Sequence, residues 1–163
     1  DAGDIIAQTV TPVGPDETAP ELYTRLADLG AKLLVSVVSD LAAGTASRTP
    51  QDHSKATLAP MLSKELSPMD WNRTAGQLHN QVRGLIPWPA AVTTLSGSRC
   101  KVFSTTVLPD HTEAAPGTIL RADKAGIDVA CGDGTILRID ELQPDGGKRM
   151  KAADYLRGHP ITL

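Results

Sequence analysis

A chain of 163 residues and 17.2 kDa has room for one large domain or two small ones. Its 40% hydrophobic and 21% charged residues make a folding composition rather than a disordered one, and no apolar run approaches the roughly 20 residues that cross a bilayer, so no membrane partner is expected. The net charge of −3 is uneven: four basic residues stand against eight acids before Lys64 and twelve against eleven from Lys64 onward, so only the second part can face a polyanion.

The chain opens on "DAGD", where Asp1 and Asp4 flank a small residue and a glycine ahead of Ile5 and Ile6. On spacing alone this is either a structural loop whose acids cap local N–H groups or half of an acid–base site, with no second partner nearby. Residues 4–13 then read as a strand, with Ile6, Gln8 and Val10 on one face, ended by Pro12, Gly14 and Pro15. Thr18-x-x-Glu21 is a capping box that opens a helix. Leu22, Leu26, Leu29, Leu33, Val37 and Leu41 form its stripe, Gly30 is a candidate kink, and Gly44 closes it. A lone strand and helix cannot bury both apolar faces. Residues 1–44 therefore read as the end of a larger α/β domain whose sheet lies elsewhere.

Residues 45–63, "TASRTPQDHSKATLAPMLS", are rich in Ser, Thr and Pro and poor in bulky side chains, which is linker composition. A second unit, 64–163, follows. Thr74-x-x-Gln77 repeats the capping spacing and opens a short helix with Leu78, Val82 and Leu85 inward, stopped by Pro87 and Pro89. Five short β-rich runs come next, at 91–95, 100–107, 118–122, 127–131 and 136–139, separated by glycine-bearing turns. That spacing suggests a small closed or nearly closed barrel, with a last helix over 152–157.

Cys100 and Cys131 are far apart with no CxxC or Cys/His spacing, so they read as buried free thiols in a cytosolic protein. His53, His79, His111 and His159 have no metal partner at ligand spacing, and no metal is expected. "CGDG" and "DGGK" lack the strand–loop–helix context of a phosphate loop and read as turns. Lys148, Arg149 and Lys151, with Arg73, Arg83, Arg99, Lys101, Arg121 and Arg138, either form a phosphate-contacting face or are a solvated mixed surface. Aromatics are only 3% of the chain, which argues against stacking platforms, and Trp71 and Trp88 are expected to wedge the short helix against the barrel, the alternative being direct ligand contact.

Together the stretches "DAGDII", "LYTRLADLGAKLL", "TPQDHSKATLAPMLSKE", "MDWNRTAGQLHNQVRGLIPWPAA", "PGTILRADKAGIDVACGDG" and "ELQPDGGKRMKAADYLRGH" resemble the second half of the methionyl-tRNA formyltransferase family. "IPWP" and "LQPDGGKRM" resemble the tRNA enzymes more than their relatives, the amino-sugar formyltransferases and formyltetrahydrofolate dehydrogenases. The resemblance implies an α+β fragment: the final strand and helix of a Rossmann-like formyltransferase domain (1–44), a linker (45–63) and an OB-like tRNA-binding barrel with flanking helices (64–163). It implies formyl transfer from 10-formyltetrahydrofolate to the amino group of methionine on initiator Met-tRNA, in a cytoplasmic monomer. The family uses an Asn, a His and an Asp. Asp1 falls on the Asp, which orients the imidazole and assists proton removal, while the Asn and His belong upstream of this chain. This fragment is then expected to be inactive alone. Lys64, Lys148, Arg149 and Lys151 are the expected tRNA contacts. The alternatives are a free-standing tRNA- or RNA-binding barrel, or a related amino-sugar formyltransferase.

Overall fold

The structure is a computed structural model that describes residues 2–162, and it divides the chain into two compact units, Asp1–Met61 and Leu62–Leu163. In the first, helix α1 (Ala19–Ala43) starts at Thr18 as the capping spacing requires. The Glu21 carboxylate accepts from the Thr18 backbone N–H (2.8 Å) and hydroxyl (2.7 Å), and these bonds hold its carboxyl below the usual carboxylate range. The helix runs unbroken through Gly30 and ends at Gly44, whose φ of 71° is the left-handed conformation that a glycine adopts without a Cβ clash.

Residues 4–13 do not form the expected strand. A strand needs a neighbour to take its N–H and C=O groups, and among the described residues of this segment only Ile5 is bridged to another stretch of backbone. It exchanges two backbone bonds with Thr49 (2.8 and 2.9 Å) in an isolated antiparallel bridge. Gln51 Nε2 also donates to the Gly3 carbonyl (2.6 Å), so part of the linker-like segment packs with the first unit. Arg25 reaches from α1 to the Glu17 carboxylate (2.8 Å) and the Pro12 carbonyl (2.7 Å), tying the entering loop to the helix. None of residues 2–61 is buried, and Tyr23, Leu34, Val35 and Val38 on α1 are each more than half exposed. This unit has apolar faces but no core of its own.

The second unit has one. Helix α2 (Ala75–Gly84) is capped reciprocally by Thr74 and Gln77, and its N-terminus is pinned by the Ala75 N–H donating to Thr135 Oγ1 (2.8 Å). Six antiparallel strands follow: β1 (Ala91–Leu95), β2 (Ser98–Leu108), β3 (Ile119–Asp123), β4 (Gly126–Ala130), β5 (Ile136–Pro144) and β6 (Met150–Lys151), with helix α3 (Ala152–Gly158) last. The order is β1-β2-β5-β4-β3, with β6 added to β5 at Glu141 and Leu142. The ladder is a path with ends at β1 and β3. The β2–β5 register shifts between Val102 and Thr105, the irregularity that a β-bulge makes.

The core lies between this sheet and the two helices. Leu78 and Val82 of α2, Val102 of β2, Ile127 of β4, Leu137, Ile139 and Leu142 of β5 and Tyr155 of α3 are all essentially buried. Trp71 packs against this core and donates from Nε1 to Thr93 Oγ1 (3.2 Å), as a wedge should. Strand β4 is buried along its whole length and carries Asp128, only 5% exposed. The carboxylate is clamped from both neighbouring strands by Arg121 of β3 (2.8 Å) and Arg138 of β5 (2.7 and 3.1 Å). Two of the candidate phosphate ligands are therefore committed to holding the sheet together.

Candidate nucleic-acid interface

Alternation along β1 and β2 fixes which side chains can meet a ligand. Ala91, Thr93 and Leu95 point inward on β1, as do Cys100 and Val102 on β2, so Val92, Thr94, Arg99, Lys101 and Phe103 face outward. Val92 pairs with Lys101 and Thr94 with Arg99 across the strands. The segment carrying Lys64 is held beside this face by two backbone bonds, Met69 N–H to the Val92 carbonyl (2.9 Å) and Val92 N–H to the Ser67 carbonyl (2.7 Å). The result is a cavity of about 420 Å³ lined by Lys64, Arg99 and Lys101, together with Trp88 and Val92 and no carboxylate. Arg99 is paired with Asp145 (3.2 Å). Lys64 and Lys101 have no carboxylate within ion-pair distance among the described residues.

The sequence-predicted residues are distributed as follows. Asp1 lies outside the described residues. Lys64 opens a 3-10 turn (Lys64–Leu66) at the edge of the cavity. Lys148 follows the Gly146–Gly147 turn and is exposed. That turn is held by Gln143 Nε2 donating to the Gly147 carbonyl (2.9 Å), and Gln143 is the strand partner of Lys101. Arg149 lies over the Phe103 ring (4.8 Å to the centroid) and donates to the Glu141 carboxylate (2.8 Å), so its charge is largely answered. Lys151 sits on β6 and lines a different cavity of about 350 Å³ that also contains Lys124, Asp140 and Glu141.

The structure therefore brings Lys64 together with Arg99 and Lys101, and leaves Lys151 in a mixed-charge site. In the sequence, Arg99 and Lys101 belong to a wider group of candidate phosphate contacts. The signal that separates them from Arg121 and Arg138 is strand pairing: Asp128 lies across from Arg138, and nothing acidic lies across from Lys101. Trp88 differs from the wedge expected of it. It is 52% exposed at the cavity.

Two histidines of this unit, His79 and His159, serve packing, and His111 lines a separate cavity. The ring Nδ1 of His79 lies 3.0 Å from Thr105 Oγ1, and His159 stacks on Tyr155 with ring centroids 4.3 Å apart. Asp140 accepts from Thr106 Oγ1 (2.8 Å), and burial raises its carboxyl above the ordinary value. No group of three or more His, Cys, Asp or Glu among the described residues is arranged to hold a metal ion, and no helix among them is long and apolar enough to cross a membrane. Chemically, the cationic face can neutralise phosphates and fix the register of a polyanion without reading base edges.

Comparison with known proteins gives three findings. A family model for the formyl transferase C-terminal domain matches residues 61–160, nearly the second unit. Methionyl-tRNA formyltransferases of Bacillus velezensis and Bacillus subtilis are each 43% identical, over 99% and 97% of this chain, and that of Trichlorobacter lovleyi is 41% identical over all of it. The chain spans about half the length of these relatives, 50–51%. Among solved structures, a variant of HypX from Aquifex aeolicus aligns over 97% of this chain and 28% of its own, with a TM-score of 0.70 and 18% identity. An N-formyltransferase from Helicobacter canadensis aligns over 85% and 50% respectively, with a TM-score of 0.62 and 15% identity. At such identities the likeness is one of fold.

Proposed function

The chain belongs to the formyl transferase family, with that family's C-terminal domain at residues 61–160, and from that membership we propose that it is the C-terminal half of a methionyl-tRNA formyltransferase. The observation that carries this reading is identity of 41–43% to enzymes of that name across essentially the whole chain. In this reading residues 1–44 end a Rossmann-like catalytic domain, 45–63 are the linker, and 64–163 are an OB-like barrel that holds the acceptor arm of initiator Met-tRNA. The exposed apolar faces of α1, and a strand-like segment bridged only at Ile5, support a first unit whose sheet partners lie in the upstream half. The whole protein is a cytoplasmic monomer.

The formyl donor is 10-formyltetrahydrofolate, which supplies an activated one-carbon unit when bound. A folate ring needs a desolvated pocket. Residues 2–61 bury nothing by themselves, so these residues alone do not fit it, and the donor is held by the upstream half. What this chain supplies is positioning. Lys64, Arg99 and Lys101, with Lys148 beyond them, attract and seat tRNA phosphates, while Arg149 and Lys151 contribute less because Glu141 and Asp140 stand beside them. Asp1, by resemblance, orients an upstream imidazole so that the methionyl amine is neutral when it attacks.

The test is formylation of Met-tRNA by the 163-residue chain and by the same chain joined to its upstream half. Activity is expected only in the joined polypeptide, and Asp1→Asn there should lower kcat by roughly 10²–10⁴-fold. Formylation by the chain alone overturns the reading. Transfer to an amino sugar nucleotide instead of Met-tRNA moves it to the related sugar enzymes.

A further inference from the structure

Trp71 and Tyr155 belong to the core of the second unit and the outward Phe103 ring is covered by Arg149, whereas Trp88 is left half-exposed in a specific setting. It stands between Pro87 and Pro89, whose rings restrict the backbone. The loop is anchored by buried Pro89 and by the Ala90 N–H donating to the Leu85 carbonyl (2.9 Å). The half-exposed indole is thus offered to solvent by a fixed backbone, at the lip of a cavity that also holds Lys64 and Lys101. Burying an indole face would normally add to stability. Leaving it out beside Lys64 and Lys101, in a cavity whose lining holds no carboxylate, suits a ligand that brings both a flat apolar face and negative charge.

We propose that this cavity takes one unpaired nucleotide of an RNA strand, with its base stacked on Trp88 and its phosphates between Lys64 and Lys101. A base inside a duplex has both faces stacked on its neighbours, so only an unpaired or end base can lie on an indole. About 420 Å³ falls within the size range of small-ligand sites and accommodates a single nucleotide rather than a helix. Arg99, already held by Asp145, borders the site as a further positive charge. The site reads no base edge, so it positions the strand and tolerates any base. This deepens the tRNA reading above and rests on it for the identity of the natural RNA.

The test uses the full 163-residue chain, with initiator tRNA transcript and single-stranded octaadenylate as probes and polyglutamate as a competing polyanion. Trp88→Ala should weaken both RNA probes roughly 5- to 150-fold, the range for losing one stacked base, while leaving the slope of log affinity against log salt unchanged. Trp88→Phe should restore most of that loss, which separates stacking from misfolding. Lys101→Ala should lower the slope by about 0.7–0.9, as one phosphate contact does. Trp88→Ala that binds both RNA probes as tightly as the parent overturns the proposal, as does polyglutamate binding that depends equally on Trp88. Octaadenylate binding that needs Trp88, without measurable tRNA binding, upholds the cavity and overturns the tRNA reading instead.

Discussion

Replacing Arg138 by methionine separates electrostatics from packing in the sheet. Asp128 is 5% exposed and takes Arg138 Nε at 2.7 Å and Nη2 at 3.1 Å. Methionine keeps much of the apolar stem and removes every donor. Breaking one side of a buried ion pair costs about 3–5 kcal/mol because the remaining charge is left without compensation. Arg121 stays in place and still compensates part of the charge, although water weakens the pull of its 46% exposed side chain, so the loss should fall near the lower end, about 3 kcal/mol. For a unit of about 100 residues that corresponds to a fall in Tm of about 12–24 °C.

The effect also has a definite pH sign. Burial pushes the Asp128 carboxyl above its ordinary value, against the opposing charge of Arg121, and removing Arg138 sends it higher. A carboxyl raised in the folded state binds its proton more readily folded than unfolded. Its contribution to stability therefore improves as pH falls through the folded value and is worst above it. Urea unfolding followed by circular dichroism should show the largest gap between variant and parent near pH 7.5. The gap should narrow as pH approaches the ordinary carboxylate range, and adding Asp128→Asn to Arg138→Met should recover much of it. A loss under about 1 kcal/mol at neutral pH, or an equal loss at both ends of that pH range, refutes the buried-charge argument.

Gly132→Ala should destabilise the second unit by about 3 kcal/mol or more, since an added Cβ would lie 2.0 Å from the Asn72 carbonyl oxygen and would push apart the Gly132 N–H bonds to Trp71 and Arg73. Gly97→Ala, with φ of 82° and nothing within 4 Å, should cost only the left-handed penalty of about 1–2 kcal/mol, and equal effects of the two by thermal melting contradict the steric reading. Burial pushes the Cys131 thiol up to about 11 and raises Cys100 as well, so neither should react with Ellman's reagent at pH 8 until urea exposes both. Rapid native-state labelling of either thiol shows that the core around it opens.

Local signals were legible wherever a short stretch of chain decides its own conformation. Both capping boxes, Thr18/Glu21 and Thr74/Gln77, start their helices where the spacing puts them, and Gly44 ends the first. The turns between the β-runs left room only for short antiparallel strands, and these appear with boundaries shifted by a residue or a few; the added β6 was missed because a two-residue strand carries no periodicity. Order along the chain was enough for the family resemblance too, since it depends on which residues follow which.

What pairing across the chain decides was not legible. The run after Asp4 has strand alternation, but the sequence cannot supply the neighbouring strand, and without one only Ile5 bridges, to Thr49. Arg121, Arg138, Arg99 and Lys101 are equivalent cations in one dimension. Register separates them, placing the first two on buried Asp128 and leaving Lys101 beside Lys64 in an open cavity. Likewise, composition alone makes Trp71 and Trp88 alike, whereas the fold gives one a hydrogen bond against the core and turns the other outward. A charge or a ring acquires its role from what lies across the sheet from it, and that is set by long-range contacts that no local stretch encodes.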